Sequence, residues 1–80
     1  MNKCYNALKQ LAEIAGEYGD NRYDIVDCDL GFIPFKNGVN KVEEVGNDFG
    51  SVARWLIWEG EVNLIKHLEN IKHLERQKED

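Results

Sequence analysis

The sequence is poor in the residues that staple or punctuate small proteins: one proline, Pro34, and two cysteines, Cys4 and Cys28, in 80 residues. Two cysteines cannot supply the disulfide framework of a small secreted domain. With no cationic, apolar leader at the start, they read as reduced core residues of a cytoplasmic chain. No apolar run approaches the ~18 residues of a membrane span. Basic residues are also in deficit, Lys+Arg 10 against Asp+Glu 15, for a formal charge of −5. The deficit is spread, −2 over residues 1–40 and −3 over 41–80, so no acidic tail stands apart. Such a surface repels phosphate backbones and argues against direct nucleic-acid binding.

Catalytic signatures are missing too. There is no GxSxG, no phosphate-cradling glycine loop and no dinucleotide fingerprint. A chain this short has little room for a pocket of roughly several hundred Å³, so no enzyme is expected. Cys4, Cys28, His67 and His73 are the four candidate zinc ligands. They include no CxxC, and His67 and His73 would point about 120° apart on a helix. Asp27-Cys28-Asp29-Leu30-Gly31 lacks the ligand spacing of a calcium loop. Neither a metal nor a cofactor is expected.

What is present is globular: 42% apolar residues with 10% aromatics, enough for one small domain over 1–80, with 76–80 fraying. Residues 2–18 read as a helix capped by Asn2, with Cys4, Leu8, Leu11, Ala15 and Tyr18 on one face, Ala7 and Ile14 beside it, and Gly19 closing it. From Arg22 the period falls to two, and the even positions Val26, Cys28 and Leu30 read as the buried side of a strand. Phe32–Phe35 is a second extended run, placed at an edge or a bend by Pro34, which has no N–H for the ladder. Asn37-Gly38 is a type I′ hairpin signal, pairing Phe32–Lys36 with Val39–Val45. Asn40-Lys41-Val42-Glu43 competes as a capping box, so 40–45 reads equally as strand or helical turn.

The densest apolar run is Trp55-Leu56-Ile57-Trp58. Residues 51–59 lean to a strand by composition, against a helix start at Ser51. Gly60 then separates them from an amphipathic helix at about 61–77. Its stripe of Leu64, Leu68 and Ile71, flanked by Ile65 and Leu74, is expected to lie on the core, with His73 and Arg76 opposite. The resulting fold class is α+β, order α-β-β-(β or turn)-β-α, with two helices on one face of a short antiparallel sheet. At the level of element order alone this is similar to the αβββα plan of double-stranded-RNA-binding domains. The start of the last helix, where that plan uses basic residues, here reads Glu59-Gly60-Glu61.

Without chemistry to assign, function falls to contact. Asp20, Asp24, Asp27 and Asp29 form the main acidic cluster, with Arg22 the one opposing charge among them. The expected partner-binding residues are Tyr23, Asp24, Asp27, Asp29 and Trp55, an acidic stripe with aromatic anchors aimed at a basic patch on a protein partner. This describes a small acidic non-enzymatic interaction module, of the kind that phage or mobile-element accessory and inhibitor proteins provide, with nucleic-acid mimicry as a special case. The alternative is a self-associating module, a homodimer through the C-terminal helix or an edge strand. Because the ligand spacing is wrong for zinc, EDTA should leave the circular dichroism and melting curve unchanged; stoichiometric zinc with unfolding on chelation would contradict this.

Overall fold

The structure is a computed structural model that describes residues 3–79, with side chains described to Lys72. The readings on Asn2 and on the side chains of His73, Leu74 and Arg76 lie outside what is described. The chain forms α1 (Lys3–Ala15), β1 (Tyr23–Cys28), β2 (Gly31–Lys36), β3 (Val39–Asn40), a single turn α2 (Val42–Val45) and the long α3 (Phe49–Glu79). This is a small α+β domain with one antiparallel sheet in the order β1-β2-β3. Among the described residues no helix is long and apolar enough to cross a membrane.

Helix α1 ends at Ala15, three residues short of the expected end. It buries Leu8, Ala12 and Ala15, with Tyr5 and Leu11 partly covered. Cys4 and Cys28 are both exposed, and neither is in a disulfide or in the core. Cys4 shares the helix face of Leu8 and Ala15 but lies in the first turn, beyond the buried part of that face, and the small side chains Ala12 and Ala15 let α3 come close. A Cβ added at Gly60 of α3 would sit 3.3 Å from the Cα of Ala15. Gly60 is therefore not a break between elements. It lies inside α3, at the crossing point, where a larger residue would push the helices apart.

The hairpin turn forms as expected. Asn37 has φ of 54° and Gly38 of 81°, the positive pair a type I′ turn requires. Both readings of 40–45 are realised in succession. The ladder runs Phe35↔Asn40 and Lys36↔Val39 and then stops. The Asn40 side chain accepts the Val42 N–H at 2.8 Å and opens α2. Pro34 is at the centre of the sheet, not at an edge or a bend, paired with Ile25 on β1. Its carbonyl accepts the Lys41 N–H at 2.8 Å, on the side where β3 gives way to α2. The missing donor thus faces a place where no ladder partner follows.

Two expectations reverse. In β1 the odd positions are buried, Tyr23 and Ile25, while Val26, Cys28 and Leu30 are exposed. Both phases of the alternation carry apolar residues, and the helices cover the larger side chains. Residues 51–59 are helix, not strand. Asp48 caps α3, its carboxylate accepting the Ser51 N–H at 3.0 Å. That N–H and the Ser51 hydroxyl hold the Asp48 carboxyl below its ordinary range. Val52, Leu56, Glu59 and Asn63 then recur at helical spacing and are all buried. Local β propensity gives way to this three-to-four spacing of side chains that reach the core.

The closing stripe departs furthest from expectation. Leu68 is 48% exposed and Ile71 38%. Helix α3 has 31 residues against 13 in α1, so it runs about 27 Å longer. The sheet and α1 cover its first half, and beyond Asn63 little remains to pack on. Leu56→Ala should therefore cost about 2–4 kcal/mol, and Leu68→Ala under about 1 kcal/mol, in urea unfolding of dilute protein. Equal losses would return Leu68 to the core.

Candidate functional site

Three features bear on function: a buried polar cluster, the acidic residues of β1, and the uncovered side of the helices.

The polar cluster joins every major element. The Tyr23 hydroxyl donates to the Glu59 carboxylate at 2.6 Å, and Lys36 Nζ lies 2.7 Å from the same oxygen. Asn63 donates to the Tyr23 hydroxyl at 3.0 Å and to the Ala15 carbonyl at 2.8 Å, satisfying the end of α1. Asn21 donates to Asn63 at 2.9 Å and accepts from Asn37 at 3.1 Å. Asn37 in turn accepts the Arg22 N–H at 2.8 Å. The chain of bonds runs from the hairpin tip to the α1–α3 crossing. Among the described residues no buried side-chain nitrogen or oxygen lacks a partner. A cluster so closed offers no group to a substrate; its role is to fix the helices on the sheet.

Burial, and then the Glu59 carboxylate that accepts its hydrogen bond, push the Tyr23 hydroxyl up to about 12.

The acidic residues are exposed but do not form one stripe. Asp24 points to the open face of the sheet, Asp27 to the helix side, and Asp29 lies in the turn after β1. Because β1 is an edge strand, charges along it guard against edge-to-edge pairing with another chain. Tyr23 and Trp55 do meet, rings 5.6 Å apart and edge to face. They meet inside the domain: Tyr23 is buried and Trp55 half-buried, so neither is presented as an anchor. Trp58 is the exposed tryptophan, at 58%. No three His, Cys, Asp or Glu side chains converge on a metal position among the described residues.

The uncovered helical side is the feature that sequence reasoning placed wrongly. At about 100° per residue, Ile57, Trp58, Leu64, Ile65, Leu68 and Ile71 fall within an arc of about 140°, opposite the core-facing Val52, Leu56, Glu59 and Asn63. All six are exposed, from 38% at Leu64 and Ile71 to 58% at Trp58. Beside them, between α1 and α3, runs a groove of about 240 Å³ with Ile14, Tyr18, Ile57, Gly60, Glu61 and Leu64 among its walls. Tyr18 stacks obliquely on His67, centroids 4.9 Å apart, at its far end. The signal in the sequence was quantity. Residues 52–71 hold more large apolar side chains than one helix face can bury.

No protein family, no curated protein and no solved structure matches this chain.

A proton held this tightly by the native state makes a pH prediction. The Tyr23 value is raised above its ordinary 10.0. Its stabilising contribution is then fully present below pH 10 and is lost as pH climbs through about 12. The stability advantage of wild type over Tyr23→Phe should shrink by about 2 kcal/mol across that window, measured by urea unfolding at each pH. A constant difference would mean that the hydroxyl is not bonded to Glu59.

Proposed function

We propose that the protein is a non-enzymatic protein–protein interaction module that docks through the exposed apolar side of α3 and the groove beside it. One observation carries the reading: a single helix buries one face, through Val52, Leu56, Glu59 and Asn63, and leaves a second, apolar face exposed. A contiguous apolar strip containing an exposed tryptophan is the composition of an interface centre, and solvent-facing helices normally lack it. Glu69 and His67 flank the strip, and Glu61 and Lys72 are exposed charges within its arc.

The basic partner expected for Asp24, Asp27 and Asp29 keeps one supporting observation, their exposure on and just after an edge strand. In this reading those acids steer the approach and the helix provides the grip.

Capture from cells of origin with tagged protein separates the two surfaces. Ile65→Lys/Leu68→Lys should lose the bound protein at both ~50 and ~300 mM salt, because apolar contact is little screened. Asp27→Asn/Asp29→Asn should keep it and flatten its salt dependence. Loss in the aspartate variant alone would move the contact to β1.

A further inference from the structure

The strip has the symmetry of a surface made for its own copy, and we infer that the chain forms a homodimer in which two α3 helices pair antiparallel about Lys66, Gly60–Lys72 of one facing Gly60–Lys72 of the other. This rests on the reading of α3 as a docking face and names its occupant.

Consider two α3 helices laid strip to strip. In the antiparallel arrangement centred near Lys66, Leu64 of one copy meets Leu68 of the second, and Leu68 meets Leu64. The central layers are leucine on leucine in both directions, as a two-fold axis demands. Ile71 of the second copy then falls opposite Glu61, between Ile57 and Leu64. That place is the mouth of the groove whose walls include Ile14, Ile57 and Leu64. The overhang of α3 past Asn63 is therefore the length that reaches the other copy's groove. Each copy fills the cleft that the other leaves open.

Charge selects the same direction. Antiparallel pairing brings Glu61 of one copy beside Lys72 of the second, and the contact occurs twice by symmetry. A parallel pair in register instead sets Glu61 against Glu61 within the seam, like charges at close range. Both residues are exposed in the single chain, so neither has to be withdrawn from the core. The strip from Ile57 to Lys72 is about 24 Å long and about 10 Å wide. Both copies of such a strip amount to roughly 500 Å², and the groove mouths add to this, so the covered area stays below the roughly 1,000 Å² of a specific interface. The dimer should accordingly be concentration-dependent.

Sedimentation equilibrium of the full chain from about 1 to 500 µM, with circular dichroism of each variant, tests the inference. Wild type should pass from monomer to dimer across that range. Leu68→Lys, and independently Ile65→Lys, should stay monomeric with unchanged helicity. Glu61→Lys should weaken the dimer about 5- to 10-fold, and Glu61→Lys/Lys72→Glu should restore it. Failure of the swap to restore would overturn the antiparallel register. A dimer that survives Leu68→Lys would overturn the use of this face. A wild type that is monomeric throughout, while Ile65→Lys/Leu68→Lys still loses a captured protein, would overturn the homodimer and leave the docking face. If that variant changed neither measurement, both readings would fall.

Discussion

The structure depends on one buried carboxylate. Glu59 is 5% exposed, and water cannot solvate its charge there. An unpaired carboxylate in that position would cost several kcal/mol. The cost is offset by Lys36 from β2 and Tyr23 from β1, which meet the same oxygen at 2.7 and 2.6 Å. This pairing adds less to stability than to specificity. It holds only when α3 has one rotation and one height over the sheet, and when β1 and β2 are in the register that sets Tyr23 opposite Lys36. Asn63, one turn on, extends the constraint to the end of α1. Slipping any of these elements by one residue would strand a charge or a carbonyl.

That rotation of α3 decides what faces outward. With Val52, Leu56, Glu59 and Asn63 committed to the core, Ile57, Leu64, Leu68 and Ile71 must lie on the far side. The close approach of Gly60 to Ala15 has the same effect, since it brings α1 against a narrow strip of α3 and leaves the flank open. The exposed apolar surface is thus a consequence of the polar core. A helix with an apolar core face alone would have been free to turn its best hydrophobic stripe inward. Here hydrogen-bonding needs outrank that gain, and the second stripe stays exposed.

Much of this was legible in the sequence and some was legible only in pieces. The Asn37-Gly38 turn, the first helix and the α+β class follow from local signals whose physical causes are short-range: positive φ, capping and periodicity. The phase of β1 was not readable, because Ile25 and Val26 are equally apolar and only the neighbouring helix chooses between them. Tyr23 and Trp55 were singled out as contacts on account of their aromatic rings, and the fold spends both on its core. The 51–59 stretch misled because Val52, Ile57 and two tryptophans favour a strand locally, while the spacing that makes it a helix runs through Glu59 and Asn63, polar residues that a hydrophobicity pattern skips. For the same reason the stripe of Leu64, Leu68 and Ile71 looked like the core face of its helix. A buried polar stripe reverses the usual inference from amphipathicity.

On the proposed docking role, α3 is one continuous helix whose residues up to Asn63 are held by the domain and whose residues beyond it are held by a partner. Amide hydrogen exchange resolved by residue, at low and high protein concentration, measures this division directly. Amides from Val52 to Asn63 should be protected to the level of global unfolding at any concentration. Those from Leu64 to Lys72 should exchange fast in dilute solution and slow down as concentration rises. Uniform protection along α3 in dilute solution would contradict the account, because it would mean that the second half of the helix is already packed against its own domain.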